Sequence, residues 1–81
     1  MISDAQLRAA RGLLGWNQRR LAESSGVSLS TIRRMESSEG LIRGNAANVW
    51  KIQQAVEDAD VEFTNGDTPG VRLKRPHEKS D

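Results

Sequence analysis

The chain has 81 residues, no cysteine, a single histidine and a formal net charge of +1. Those numbers exclude disulfides and thiolate metal sites, leave His77 as the sole imidazole, and allow one small core of a size that a partner chain often completes. No apolar run nears the roughly 18 residues of a membrane span and the N-terminus lacks a secretory pattern, so a cytoplasmic protein without cofactor or metal is expected.

In chain order, one start signal appears three times. Ile2-Ser3 precedes Leu7, Trp16-Asn17 precedes Leu21, and Val27-Ser28 precedes Ile32. Each is an apolar residue, a capping Ser or Asn, and an apolar residue four places after the cap: a hydrophobic staple around an N-cap. Gln6 completes a capping box with Ser3. The first helix is therefore predicted from about Asp4 to Leu14, stopped by Gly15. The second runs from about Gln18 to Ser24, broken by Gly26, and the third from about Leu29 to Ser37, with Ile32 and Met35 inward. A breaker-rich stretch over residues 38–44 follows. A fourth helix starts near Asn45 and carries Val49, Ile52 and Val56 on one face. The period then drops to two: Val61 and Phe63 alternate with Glu62 and Thr64, and Val71 and Leu73 with Arg72 and Lys74. The turn-forming residues 65–70 lie between them, which reads as a β-hairpin. The organisation expected is residues 1–59 as a four-helix domain, 60–75 as the hairpin and 76–81 as a disordered tail.

Charge is divided unevenly along the chain. Residues 1–44 hold seven arginines (Arg8, Arg11, Arg19, Arg20, Arg33, Arg34, Arg43) against four carboxylates, net +3, whereas residues 45–81 hold five basic against seven acidic side chains, net −2. Arginine is the side chain suited to phosphates and guanine edges; the plain alternative is a solvated surface. Within the basic half, Asn17 to Glu36 packs a short helix, a glycine turn and a second short helix into twenty residues. Ala22 falls where two helices approach closely, and Gly26 where a tight turn favours positive φ. That is the arrangement of a helix-turn-helix, whose second helix enters the DNA major groove.

The run Gln18…Leu21-Ala22…Gly26-Val27-Ser28…Ile32…Met35-Glu36 resembles the Cro/C1-type (xenobiotic-response-element) helix-turn-helix family over about Leu7 to Val56. The Val-Glu-Phe…Pro-Gly-Val-Arg-Leu segment resembles small bacterial members that append a hairpin. The resemblance implies a mainly α, lambda-repressor-like four-helix domain with a C-terminal hairpin, acting as a sequence-specific regulator of transcription on double-stranded DNA. It implies that Gln18 braces the recognition helix and touches backbone phosphate, where a helix N-terminus also favours an anion. Arg19 faces the DNA backbone in the family's pose. Ser28, Leu29, Ser30 and Thr31 match the start of the recognition helix, Arg34 a base-reading position, and Arg33 lies beside it; Arg43 is counted with this DNA-binding set. The chain departs from glutamine-rich relatives: Leu29 offers apolar contact alone, and Ser30 discriminates weakly, so base discrimination falls to Arg33 and Arg34. Arg11 and Glu36 match a structural ion pair joining the first helix to the end of the third.

Trp16 reads as a staple residue of the core. Trp50 lies one position off the Val49–Ile52–Val56 stripe, either covering the hairpin or sitting in a subunit contact. The four helices are expected to close their own core, leaving the hairpin as a dimerisation element: Val61, Phe63, Val71, Leu73 and Trp50 would form the homodimer interface, and truncation after Asp60 would leave a folded monomer. The other reading is a hairpin that packs on its own chain. Two further functions use the same kind of domain, the antitoxin of a toxin–antitoxin pair and a restriction–modification controller. An enzyme is not expected, since the eleven carboxylates form no recognisable catalytic pair.

Overall fold

A computed structural model describes residues 2–37, 45–65 and 69–74. Four helices are followed by an antiparallel hairpin: α1 (Asp4–Leu14), α2 (Gln18–Ser25), α3 (Leu29–Ser37), α4 (Ala46–Asp58), β1 (Val61–Thr64) and β2 (Gly70–Leu73). α2 ends one residue later than the sequence suggests, because the left-handed break falls at Gly26 and Ser25 keeps helical geometry. Arg43, the interior of the hairpin turn and the tail from residue 75 lie outside the described residues.

Each helix start is set by the residues that mark it in the sequence. Ser3 Oγ accepts from the Gln6 amide at 3.1 Å while Gln6 Oε1 accepts from the Ser3 amide at 2.9 Å, closing the capping box. Asn17 and Asn45 cap α2 and α4, their Oδ1 atoms accepting from the Arg20 and Ala47 amides. Ser28 Oγ accepts from the Thr31 amide at 3.3 Å and so caps α3. Two helices end on left-handed glycines, Gly15 at φ 69° and Gly26 at φ 78°. Neither position is short of room for a side chain; the backbone conformation is what selects glycine there. Asp60 takes the same left-handed turn, φ 72°, between α4 and β1.

The staple residues meet in the core. Ile2, Leu7, Leu21 and Ile32 are fully buried, with Ala10, Val27, Met35, Val49, Ile52 and Val56 around them. Trp16 and Leu14 pack at its margin. Val61 and Phe63 belong to this same cluster, which corrects the sequence reading in two respects. The core does not close within residues 1–59, and the inward side chains of β1 are taken up by their own chain instead of standing free for a partner. A four-helix set of this length leaves an apolar face between α1 and α4, and the hairpin fills it, as burial of apolar surface requires.

The hairpin register pairs Val61 with Leu73, Glu62 with Arg72, Phe63 with Val71 and Thr64 with Gly70. Lys74 N–H donates to Asp60 O at 2.7 Å. The alternation of antiparallel rungs therefore turns the amides of Val71 and Leu73 away from β1. Gln6 has a second task here: its Nε2 donates to Thr64 O at 2.9 Å and to Gly70 O at 3.1 Å, clipping both strands to the start of α1. Trp50 is 62% exposed and is not among the side chains packed on the core; Leu13 and Leu73 are the other large apolar side chains in solvent among the described residues.

Candidate nucleic-acid interface

The arrangement of α2 and α3 is fixed by one buried carboxylate. Glu36, near the end of α3, is 7% exposed. Arg11 meets it in a two-pronged pair, Nε to Oε2 at 2.8 Å and Nη2 to Oε1 at 2.7 Å. The remaining Arg11 nitrogen, Nη1, donates to Trp16 O at 3.1 Å, just before α2 begins. Gln18 Nε2 donates to Glu36 Oε1 at 3.0 Å. Three helices thus converge on one side chain, and the planar guanidinium matches the carboxylate fork, which gives the joint a definite angle as well as energy. Gln18 is turned toward Glu36, so bracing is what its amide nitrogen does in this structure.

A second arginine, which the sequence presented only as one more positive charge, reaches the same place. Arg8 Nη1 donates to Asp4 Oδ2 at 2.8 Å and to the backbone oxygen of Glu36 at 2.9 Å. The signal for half of this was Asp4 four residues upstream, an i,i+4 pair on one helix face; nothing local announces the contact with α3. Arg20 stacks over Trp16 with its guanidinium 5.2 Å from the ring centre, again an i,i+4 relation and a further contact missed in the sequence.

At the opposite end of α3 the hydroxyls are engaged with one another. Ser28 Oγ donates to Thr31 Oγ1 at 2.8 Å and lies 3.4 Å from Ser30 Oγ, besides accepting from the Thr31 amide. Ser28 and Thr31 therefore shape the start of the helix. Ser30, Arg33 and Arg34 are exposed and Leu29 half-buried. On a helical wheel Ser30, Arg34 and Ser37 point opposite to Ile32 and Met35, with Arg33 flanking them. The side chains of Arg19, on the exposed side of the first turn of α2, and of Arg33 make no hydrogen bond or ion pair among the described residues. The outward surface is thus a helix on a rigid mount, presenting guanidinium groups and the hydroxyls of Ser30 and Ser37.

The hairpin residues lie apart from this surface. Val61 and Phe63 are in the core, Val71 packs on its edge, Leu73 is half in solvent, and Arg72 pairs with Glu62 at 2.8 Å on the outer side. Among the described residues no helix is long and apolar enough to cross a membrane. No curated protein matches the chain. Residues 7–52, more than half of it, match the helix-turn-helix family, and the matched span runs from the first staple leucine through all three side chains that converge on Glu36. With that geometry and that match together, the chain is a member of the Cro/C1-type helix-turn-helix family of DNA-binding transcriptional regulators.

Proposed function

We propose that the protein is a cytoplasmic repressor that binds a pseudo-palindromic operator as a homodimer, each copy laying α3 in the major groove. The observation that carries this reading is the division among the arginines. Arg11 and Arg8 are tied to carboxylates inside the domain. Arg19 and Arg33, on the outward sides of α2 and α3, have no partner among the described residues and offer their full charge to DNA. Arg33 and Arg34 read base edges, with Leu29 against a thymine methyl, while Arg19 holds the phosphate backbone. Two copies would engage half-sites about 10 bp apart, one helical turn. Repression follows by occlusion of the promoter.

The homodimer contact falls to β2 and not to the buried face of β1. The amides of Val71 and Leu73 face away from β1, and such an edge can pair with its symmetry mate. Leu73, exposed on β2 itself, remains as an apolar contact along that edge. A Leu73→Pro chain removes one outward N–H without touching a rung to β1. It should sediment as a folded monomer where the wild type is a dimer. A wild type that is itself monomeric at tens of micromolar would overturn the dimer.

Selection from a random DNA pool, followed by titration at several salt concentrations, tests the DNA reading. The expected outcome is one enriched inverted repeat whose affinity falls steeply with salt. An Arg34→Ala chain should lose preference at one position per half-site, and Arg19→Ala should weaken every sequence alike with a salt slope lower by about 1 per copy. Identical profiles for the two variants would sink the division of labour. No enrichment at all would sink the operator reading.

A further inference from the structure

We propose that Arg8 is a positioning residue for the recognition helix: its clasp on the backbone oxygen of Glu36 sets where Arg33 and Arg34 stand, and it makes no phosphate contact itself. This rests on the reading of α3 as the element in the groove.

Arg8 has the outward signs of a phosphate ligand. It is an arginine of the basic half, and 48% of its side chain is exposed. Its surroundings argue the other way. A single nitrogen, Nη1, serves both Asp4 and Glu36 O, at 2.8 and 2.9 Å, so both of its protons are in use. The Asp4 carboxylate beside it, itself only 12% exposed, cancels its charge and would repel an approaching phosphate.

The acceptor explains what the contact does. Carbonyls toward the C-terminal side of a helix carry partial negative charge and suit a cation. Among the described residues, two carbonyls of α3 (Leu29–Ser37) accept from side chains: Arg34 O from Ser37 Oγ at 2.9 Å, and Glu36 O from Arg8. Arg11, one turn along α1 from Arg8, holds the carboxylate of the same glutamate. The side chain alone could swing about its χ angles and let the backbone turn. Held at both carboxylate and carbonyl, Glu36 fixes the rotation of α3 about its axis. Arg33 and Arg34 stand three and two residues before it, and a rotation of a few degrees there displaces a guanidinium fork from a guanine edge.

Two variants separate this from a phosphate contact. In Arg8→Ala the salt slope of operator binding should stay at the wild-type value, whereas discrimination between the operator and single-base variants at the Arg33 and Arg34 positions should fall about tenfold. Asp4→Asn removes a negative charge, so a phosphate-binding Arg8 would bind DNA more tightly. A positioning Arg8, loosened from its anchor, should instead lose discrimination in the same direction as Arg8→Ala. Both are measured well below the melting transition of each variant, with far-UV circular dichroism matching wild type. A slope reduced by about 1 per copy in Arg8→Ala, tighter binding in Asp4→Asn, or unchanged discrimination in both would overturn the proposal while leaving the operator reading intact. A wild type that selects no sequence would overturn both.

Discussion

At its N-terminal end α1 is held to the hairpin by a neutral amide, Gln6 on the carbonyls of Thr64 and Gly70, whereas further along it is held to α3 by guanidinium groups on Glu36. The two attachments bury polar groups to a similar degree, Gln6 at 5% exposure and Glu36 at 7%. They differ in what their loss leaves behind. An amide withdrawn from the hairpin leaves carbonyls that keep their places in the antiparallel ladder. A guanidinium withdrawn from Glu36 leaves a buried negative charge with one amide for company. The lesson is that α3 is mounted by the attachment that tolerates least change, and the hairpin by one that depends on the direction of a hydrogen bond.

The comparison is broken most severely by removing the hairpin altogether. A chain ending at Asp60 lacks Val61 and Phe63, which are 0% and 9% exposed. The loss is about 5 kcal/mol or more, comparable with the whole stability of a small domain. Circular dichroism should find it largely unfolded at 37 °C; a cooperative melt at the wild-type temperature would show that the four helices close without it. Next is Arg11→Ala, which strands the Glu36 carboxylate and should cost about 3–5 kcal/mol in urea denaturation. Joint replacement by Arg11→Met and Glu36→Leu should recover most of that, because no charge is left buried. Failure of the pair to recover would mean that the geometry of the clasp, and not the stranded charge, dominates.

Gln6→Glu sharpens the contrast at the other end. Glutamate serves a capping box as well as glutamine does, so local reasoning predicts little change. The hairpin clip requires a donor, and a carboxylate oxygen would face two carbonyl oxygens. We expect a loss of about 1–3 kcal/mol, with faster hydrogen exchange at β2 than at α3. Smallest of all is Arg72→Ala: its pair with Glu62 is exposed at both ends, 68% and 39%, and should be worth under about 1 kcal/mol. A larger shift in melting temperature would mean that Arg72 serves some contact beyond this pair.

Much of this was legible locally. The caps Ser3, Asn17 and Ser28 with their flanking apolar residues mark the three helix starts, because a staple and its cap lie within five residues of each other. Gly15 and Gly26 mark two ends for the same reason. The alternation in Val61–Thr64 and Val71–Leu73 identifies a two-faced ribbon but not the surface under it; an apolar face looks alike whether a sister chain or α1 and α4 cover it. The sequence marks Gln6 as half of a capping box, whereas its hairpin partners stand 58 and 64 positions away with no pattern linking them. Arg11 and Glu36, 25 positions apart, are linked in the sequence only by the family resemblance. For Arg8, equally engaged, the sequence offers only the i,i+4 spacing from Asp4 and nothing that points to Glu36. Trp50, one place off the buried stripe, falls to the solvent side because a helix turns 100° per residue, enough to carry the indole past the edge of the core.

The Gln6 clip also bears on when the chain can fold. The core residues run from Ile2 to Phe63, and the amide that seats the hairpin lies in the first turn of the first helix. A nascent chain halted after α4 carries all of the family-matched span yet cannot close the interior beneath it. Folding should therefore await synthesis of β2 and then proceed in one concerted step, with the closure of a long loop as its slow event. Translation arrested at that point would leave a recognition helix present in sequence and absent in function.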